Sequence, residues 1–484
     1  MIKALSEIRK NILNWYPFEE NSDILEIAGD WEKLDGNEKF DYIILLGLEK
    51  EKIGLKEALL KLNRNLREDG TILFSVENKL GLNILNGTDN ITLCKNPFTN
   101  QYTKREIEEE IFQAELGWTP HFRFYYPLPN YELPNIIFTD DYLPTEELIE
   151  RDLTLYDTQK IISFDERDIY KLIIKENKKI FPTFANSFLV AISNHPISNQ
   201  IKMITFGNNR KPEFRLNTLI YDKEVCKECI SDKSKKHYED IKRNIKLLNT
   251  ANINILDSIR DDKIYSRKVN GDSFDTFLIK ILKKDGLKKL LKYIELFKTE
   301  LKLKLKKSNP HCITVFQKYK IDCPDIEDLY FVEDGFYDLI FQNTFYINGI
   351  FYFYDQEWYE SNVPLEFIIY RAVIYNLNKL KEISPEQLWE ELGIKRFIKA
   401  FYDLDKLLQS KISDKIIFHK IHKGNRITIK DVYDEQIYLR YKQNQKINEL
   451  EEELTDLNNQ LSDIKNSNSW KITKPLRNIK NILR

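Results

Sequence analysis

Cysteine is scarce in this chain of 484 residues, and long hydrophobic runs are missing. The five cysteines are an odd number spread thinly over the sequence, which excludes a disulfide framework. No uninterrupted apolar stretch approaches the roughly 20 residues that a membrane-spanning helix requires. Residues 1–10 are charged and lack the apolar core of a signal peptide. We therefore expect a reduced protein of the cytoplasm.

An excess of one charge sign is also missing. The chain has 74 basic and 76 acidic side chains, and this near-balance argues against a general nucleic-acid-binding protein. We expect no nucleic acid among its partners. The length exceeds that at which a single core stops growing, and 42% of the residues are hydrophobic, so we expect at least two domains.

Strands and helices alternate in the first 150 residues. A short apolar run at 24–27 and a stronger one at 40–47 have the composition of buried strands. An amphipathic helix is predicted for 55–66 and a further strand for 71–76. Strand, helix and strand in that order predict a βαβ unit, and therefore an α/β fold.

A different pattern begins at about residue 201, after a segment (151–200) with many charges and no clear sheet pattern. Strand candidates surround a helix at 237–248, and longer helices follow at 275–305. Residues 345–353 predict an aromatic hairpin, because Asn348-Gly349 is a strong two-residue hairpin turn. This composition predicts an α+β domain that is built separately from the first part.

The C-terminal region has two apolar patterns. A coiled-coil seam of under three heptads is formed by Ile447, Leu450, Leu454, Leu457, Leu461 and Ile464. A seam this short is marginal alone, so it pairs with a second copy of the chain or packs on the body. Residues 469–484 combine spaced apolar residues with lysine and arginine and have no acid. They predict a helix for an anionic membrane or an acidic partner, or else a helix packed on the body.

Four segments of the first part resemble a bacterial group of class I methyltransferase-like proteins that are found with surface-polysaccharide assembly enzymes. The segments are 24–29, 40–47, 69–81 and 125–131, and the resemblance covers roughly residues 10–200.

The cofactor loop of that family is missing here. In that fold the first strand leads into a glycine-rich turn, and an acidic residue about 20 positions later holds the ribose. Fewer than 15 residues separate the first strand from the strand at Phe40, which resembles the fourth of the fold. We therefore predict a truncated Rossmann-like domain that does not bind S-adenosylmethionine. The alternative is a minimal site made by Glu26, Ala28 and Gly29.

The spacing of Asp338 and Asn343 matches the Asp-x4-Asn of a kinase catalytic loop, and Asp355 follows the predicted hairpin. Phosphoryl transfer needs oxygen ligands for Mg²⁺ and a carboxylate that orients the attacking hydroxyl. We predict Asp338 as the base, with Asn343 and Asp355 on Mg²⁺. Asp-x4-Asn also occurs by chance, and in the other interpretation these are turn, capping and surface residues.

Upstream residues extend the resemblance to protein kinases. Lys227 resembles the strand lysine that reaches the phosphates of ATP, and Glu239 on the following helix would pair with it. Residues 206–215 lie where a phosphate-covering loop is expected, but with a single glycine. Two departures put catalysis in doubt: Phe336-Tyr337 replace the His-Arg before the base, and Gln356-Glu357 replace the Phe-Gly after the metal-binding aspartate.

The whole chain resembles methyltransferase–kinase fusion proteins that modify the ends of O-antigen-type polysaccharide chains. The resemblance implies a truncated methyltransferase-like domain (1–150), a connecting segment (151–200), a protein-kinase-like domain (201–435), a coiled coil (436–466) and a basic tail (467–484).

The resemblance also implies a function. Mg-ATP would phosphorylate a terminal hydroxyl of a glycan or glycolipid, with glycosyltransferases of the same pathway as partners, at the inner face of the cell membrane. One alternative is a non-catalytic scaffold that recruits glycosyltransferases through the coiled coil and tail. The other is an S-adenosylmethionine-dependent methyltransferase of the same pathway, in which another segment replaces the missing loop.

Overall fold

A computed structural model describes residues 10–27, 31, 34, 36–86, 101–152, 161–162, 164–198, 200–309, 311–377, 379–380, 383–414 and 427–474. The chain forms two compact units, one of residues 1–157 and 166–423 and the other of residues 158–165 and 424–484. The predicted turn at Ala28-Gly29 and the tail beyond residue 474 lie outside the described residues.

The strands, in chain order, are β1 (Ile24–Ile27), β2 (Phe40–Leu46), β3 (Leu66–Glu77), β4 (His121–Leu128), β5 (Ile136–Thr139), β6 (Ile161–Ile162), β7 (Ser187–Ser193), β8 (Met203–Phe206), β9 (Leu216–Ile220), β10 (Glu224–Cys229), β11 (Asp257–Arg260), β12 (Lys263–Arg267), β13 (Phe331–Phe336), β14 (Thr344–Ile347), β15 (Ile350–Phe353), β16 (Tyr359–Pro364) and β17 (Ile427–Thr428).

The α-helices are α1 (Leu55–Arg64), α2 (Leu82–Leu85), α3 (Lys104–Gln113), α4 (Glu146–Asp152), α5 (Glu166–Asn177), α6 (Phe181–Phe184), α7 (Lys235–Thr250), α8 (Phe274–Asp285), α9 (Leu287–Lys304), α10 (Val315–Tyr319), α11 (Leu365–Ile374), α12 (Pro385–Glu391), α13 (Ile398–Ile412), α14 (Ile429–Asn466) and α15 (Asn468–Ile472). Short 3-10 helices include Leu48–Lys50, Pro212–Phe214 and Phe341–Asn343.

Eleven of the described strands form one mixed sheet in the order β1-β2-β3-β7-β4-β5-β8-β9-β10-β12-β11. The first three strands are parallel, and α1 connects β2 to β3, which confirms the predicted strand–helix–strand unit. The apolar face of α1 is buried through Leu55, Ala58, Leu59 and Leu62. Strand β3 begins at Leu66, earlier than predicted, because Leu66 pairs with Phe40 across an irregularity in the register.

Strand β7 lies in the middle of this sheet and pairs antiparallel with both β3 and β4. The sequence predicts only a connecting segment at 151–200, so this strand was missed. All seven residues of β7 are buried, and its centre is the continuous apolar run Phe-Leu-Val-Ala-Ile. A strand covered on both faces has no polar–apolar alternation, and an apolar run this short cannot be told from a buried helix segment by its pattern.

The antiparallel pairing of β5 with β8 joins the first part of the chain to the second, with Ile137 opposite Ile204. From β8 onwards the strands β8, β9, β10, β12 and β11 are all antiparallel neighbours. Helix α7 packs on them through Tyr238, Ile241 and Ile245. The two parts, which the sequence predicts to be built separately, therefore share one sheet.

Helices dominate the chain after β12 and form a large aromatic-rich core with the small sheets β13–β16 and β14–β15. The predicted hairpin is confirmed, since Ile347 pairs with Ile350 around a two-residue turn. Both turn residues have the positive φ that such a turn requires, 51° at Asn348 and 84° at Gly349.

The second unit contains α14, a helix of 38 residues, and a parallel pair of β6 with β17. The six apolar residues of the predicted seam are 45% to 61% exposed on this helix. Their pairing in a coiled coil stays a prediction. Within the described ranges, every helix is either too short or too polar to cross a bilayer.

We predict that Gly335→Ala destabilises the fold by about 1–3 kcal/mol, the usual cost of overpacking. Gly335 lies in β13, and an added Cβ would be 2.5 Å from Cβ of Val363 and 2.6 Å from the carbonyl oxygen of Glu360. The measurement is the midpoint of urea unfolding. Gly54→Ala is the control, because its Cβ would meet only the Tyr102 hydroxyl at 3.6 Å. Equal midpoints for the two variants would contradict the packing described here.

Candidate functional site

Lys227 lies on β10, one of the antiparallel strands. We call the mainly helical residues that follow β12 in the first unit the helical part, and Lys227 lies where these strands meet it. Its side chain is buried, and its ammonium group forms ion pairs with the carboxylates of Asp355 and Glu357. Burial by itself lowers the pKa of Lys227, but these two carboxylates outweigh it and hold the pKa above its usual value. Lys227 is therefore a buried cation whose partners come from one short segment, residues 355–357.

Glu357 is the most enclosed of these groups, with 5% of its surface exposed. One carboxylate oxygen accepts from Lys227 and the other from Arg210, and the Nε2 of His237 lies 3.7 Å away. Burial raises the pKa of Glu357, but Arg210 and Lys227 outweigh it and hold the pKa well below its usual range. Glu357 is therefore ionised and shared between two cations.

The backbone of residues 355–357 is held from three sides. The Asp257 carboxylate accepts the N–H of Asp355 at 3.0 Å, and the Asn244 side chain donates to the carbonyl of Glu357 at 3.1 Å. The Gln356 amide donates to the carbonyl of Asp338 at 3.0 Å. These contacts fix the two carboxylates relative to α7 and to the loop that carries Asp338.

Asp338 is buried next to the same group of charges. The Nη2 of Arg371 lies 3.5 Å from its carboxylate, and Arg371 also pairs with Asp405 and donates from Nε to the carbonyl of Tyr337 at 2.9 Å. Burial raises the pKa of Asp338 to about 7, with Arg371 opposing the shift and the carboxylates of Glu357 and Asp355 adding to it. A carboxyl group with such a pKa can take up and release a proton near neutral pH.

Asn343 follows Asp338 on the same loop and donates from its amide nitrogen to the carbonyl of Asp338 at 3.2 Å. That contact leaves the amide oxygen of Asn343 available as a ligand. The carboxylate of Asp355 keeps 40% of its side-chain surface exposed. These two oxygen-bearing groups suit Mg²⁺ in their chemistry. Within the described residues, no three His, Cys, Asp or Glu side chains are grouped so that they could bind a metal.

The segment 206–215, where the sequence predicts a phosphate-covering loop, carries Arg210 into this cluster. Its backbone is tied to the end of α13, since the N–H of Lys211 donates to the carbonyl of Ile412 at 2.9 Å. The guanidinium of Arg215 lies 3.5 Å from the carboxylate of Asp414. The segment is thus anchored to both the sheet and the helical part.

Lys227 and Asp355 are in contact, and Asp338 and Asn343 share the adjacent loop, but Glu239 is elsewhere. The predicted pair of Glu239 with Lys227 is not formed: Glu239 is 66% exposed in its side chain and pairs with Lys242 at 2.8 Å. Residues two positions apart on a helix point about 200° away from each other. Because Ile241 faces the core, Glu239 faces solvent.

Glu357, Arg210 and Arg371 are the members of this cluster that the sequence analysis missed. Glu357 stands two residues after Asp355, at a position where the sequence indicates only a departure from the kinase pattern. The sequence does contain a signal against Glu239 as the partner of Lys227. Tyr238, Ile241 and Ile245 mark the apolar face of α7, and Glu239 is not on that face.

A second group of acids, partly buried, lies in the first part, at the carboxyl ends of β2 and β3. The Tyr131 hydroxyl donates to Glu49, the N–H of Glu77 lies 3.3 Å from Glu49, and the Gln101 amide donates to Glu77 at 2.8 Å. Burial raises the pKa of Glu77 to about 7, and the charge of Glu49 adds to the shift. Glu26, the acid of the alternative minimal cofactor site, is exposed on β1.

Comparison with known proteins assigns no family. No protein-family model matches the chain, and no curated protein does. Among solved structures, that of PKMT2 from Rickettsia typhi is 15% identical and is matched over 63% of this chain and 67% of its own, with a TM-score of 0.16. A superposition that poor carries no argument about either fold or function.

We predict that Arg371→Gln destabilises the protein by about 3–5 kcal/mol, because it leaves the buried carboxylate of Asp338 and the partly buried carboxylate of Asp405 without their cation. Urea unfolding measures the loss. Arg396→Gln is the matched control, since Arg396 pairs with Asp325 and Asp328 at the surface and should cost only about 0–1 kcal/mol. Equal losses would show that Arg371 does not hold the Asp338 loop.

We also predict that Glu77→Gln removes a pH dependence of stability. Because the pKa of Glu77 is raised on folding to about 7, its contribution is complete below its unfolded pKa and is lost as the pH rises through 7. From pH 5 to pH 8.5 the variant should gain on the order of 2 kcal/mol relative to wild type.

The measurement is urea unfolding of both proteins at the two pH values. Glu57→Gln is the control, because Glu57 is 64% exposed on α1. The same gain in both variants, or none in Glu77→Gln, would remove the ionisation of Glu77 as the cause.

Proposed function

We propose that this protein is a kinase-like phosphotransferase that uses Mg-ATP. The observation that carries the proposal is the contact between Lys227 and Asp355, which are 128 residues apart in the sequence. In kinases a strand lysine that binds the ATP phosphates and an aspartate that binds Mg²⁺ meet in one cleft.

The arrangement of elements supports the same proposal. Lys227 lies on the third of five successive antiparallel strands, and a helix follows it directly, as in the smaller lobe of a protein kinase. The hairpin β14–β15 separates Asn343 from Asp355, so that both ends of the hairpin are close to the cleft. Along the chain, the lysine strand, the helix, the Asp338 loop, the hairpin and Asp355 follow one another in the order that the corresponding elements have in protein kinases.

Each residue has a role in the proposal. Lys227 binds phosphate oxygens, and Asn343 and Asp355 hold Mg²⁺, which neutralises charge on the phosphates. Asp338 accepts the proton of the attacking hydroxyl, and a pKa of about 7 suits a base that works at neutral pH. Arg371 positions Asp338 through its carboxylate and through the carbonyl of Tyr337.

The acceptor is proposed from the family resemblance alone. It is a hydroxyl at the end of a surface glycan or glycolipid, with glycosyltransferases of the same pathway as partners. The methyltransferase-like part is proposed to be inactive and to support the sheet. The seam at 447–464 is proposed to pair with a second copy, and the segment 469–484 to contact the inner face of the membrane.

A non-catalytic scaffold is the second candidate, and a specific observation favours it. Glu357 already neutralises both cations of the cleft, Lys227 and Arg210. The Glu239 pair, which an active kinase would use, is not formed. In this candidate the fold of the cleft is retained for its shape, and the C-terminal helix recruits glycosyltransferases.

A thermal-shift titration with Mg-ATP tests the proposal. Saturation at about 100 times the dissociation constant should add about 2.7 kcal/mol to the stability of wild type, a shift of a few degrees. Asp355→Asn should abolish the shift, because it removes a metal ligand. Glu239→Gln is the control and should keep the shift, since Glu239 lies outside the cleft.

The same titration with S-adenosylmethionine tests the methyltransferase alternative. A shift with Mg-ATP that is lost only in Asp355→Asn supports the phosphotransferase. No shift of wild type with either ligand overturns it and leaves the scaffold. A shift with S-adenosylmethionine alone would assign the function to the first part of the chain.

A further inference from the structure

The helices α8 and α9 carry a concentration of positive charge that the proposed function does not use. Residues 280–307 contain eleven lysines and three acidic residues, a net charge of +8 in a chain whose formal net charge is −2. The two helices meet at Gly286, which has a φ of 79° and allows a sharp turn between them. This stretch is therefore strongly positive, although the chain as a whole is nearly neutral.

Five of these lysines form an exposed group around the turn, which we call the lysine surface: Lys283, Lys284, Lys288, Lys289 and Lys292. None of the five forms an ion pair with another described residue, although other lysines of the same helices do, such as Lys298 with Glu366 at 3.2 Å. Asp285, Lys288, Lys289 and Lys292 line a common hollow at the surface. The Nζ of Lys289 also lies 5.8 Å from the centre of the Tyr293 ring. Like charges held together without ion-pair partners repel one another, so an anionic ligand would relieve the repulsion.

Two exposed leucines continue this surface along α9. The inner face of the helix is buried through Leu290, Ile294, Phe297 and Leu301. On the outer face, Leu296 is 43% and Leu303 is 78% exposed. Positions 292, 296 and 303 follow one another at spacings of four and seven, so they share one face of the helix. Lysines and leucines therefore form a single stripe about 22 Å long, from Lys288 to Leu303.

We infer that this stripe docks the protein on a bilayer that contains anionic phospholipids. A bilayer surface offers both of the required features, phosphate charge for the lysines and an apolar layer just beneath it for the leucines. A soluble polyanion such as a nucleic acid would satisfy the lysines but would leave the leucines in water. The combination of unpaired lysines with exposed leucines on one helix face is what favours the lipid surface.

This docking surface is distinct from the cluster of charges around Lys227 and needs neither ATP nor catalysis. It lies in the first compact unit, whereas the C-terminal segment proposed above belongs to the second. A membrane contact made by α9 would bring the phosphotransferase to membrane-linked acceptors even if the C-terminal segment had another partner. Failure of one proposal therefore leaves the other standing.

The test is co-sedimentation of the full chain with vesicles of phosphatidylcholine that contain about one third phosphatidylglycerol, without nucleotide. The triple variant Lys288→Gln, Lys289→Gln, Lys292→Gln should bind about a hundredfold more weakly, since each lysine near an anionic surface contributes about a factor of five. Leu303→Gln should weaken binding about tenfold, because a leucine side chain no longer enters the bilayer.

A matched triple variant, Lys56→Gln, Lys175→Gln, Lys179→Gln, removes three exposed lysines elsewhere and should bind as wild type does. Wild-type binding that the first triple variant leaves unchanged would overturn the proposal and assign the membrane contact to another segment. A loss with the lysine variant but none with Leu303→Gln would overturn it too, in favour of a soluble polyanion. Circular dichroism and the melting temperature of each variant check that the fold is retained.

Discussion

The pairing of β5 with β8 is the constraint on which the rest of this structure depends. An edge strand presents unpaired backbone donors and acceptors, and here two such edges cover each other. The strand that carries Lys227 is then only two positions away from β8 in the sheet. A rearrangement of the first part would therefore be transmitted to the candidate site through continuous backbone hydrogen bonds. The first part of the chain therefore has a structural role in this sheet.

The cluster around Glu357 places several charged side chains in the interior of the protein, which is energetically unfavourable. Moving charged groups out of water is expensive, and ion pairs in the interior return little more than they cost. Glu357 makes the burial tolerable by accepting from both Lys227 and Arg210, and Arg371 does the same by pairing with both Asp338 and Asp405. Apolar side chains would fill this space at no such cost. Buried charges with shifted pKa values are for that reason typical of functional sites, although structural networks also produce them.

Sequence patterns predicted the parts of this molecule in which local chemistry decides the structure. The turn at Asn348-Gly349 needs two residues that tolerate positive φ, and the helix α1 has an apolar stripe of its own, so both could be predicted. Strand β7 was missed although its apolar run is of the same kind as that of β2, because a run of five residues cannot be told from a buried helix segment by its pattern alone.

Some features of the candidate site could likewise be predicted from the sequence, and others could not. The aspartates and the lysine belong to a spaced motif, and the structure brings Lys227 and Asp355 into contact. The ion-pair partner of Lys227 depends instead on the rotation of α7 about its own axis. That rotation decides whether Glu239 or a residue from another segment faces Lys227. The apolar face of α7, which packs Ile241 and Ile245 against the sheet, excludes Glu239 as the partner. It does not identify Glu357, because that residue comes from a distant segment of the chain. Glu357 takes the place that Glu239 leaves.

Glu357 also explains why one cluster of charges is compatible with both candidate functions. A nucleotide would bring its own negative charge to Lys227 and Arg210, and it would have to displace a carboxylate that is already bonded to both. Binding would then exchange one set of ion pairs for another, so its net free energy would be a small difference between large terms. In a phosphotransferase the phosphates would win this exchange, because Mg²⁺ held by Asn343 and Asp355 would add an attraction that Glu357 does not have. In a scaffold the carboxylate would win, and the ion pairs of Glu357 would serve only to hold segment 355–357 against Lys227 and Arg210.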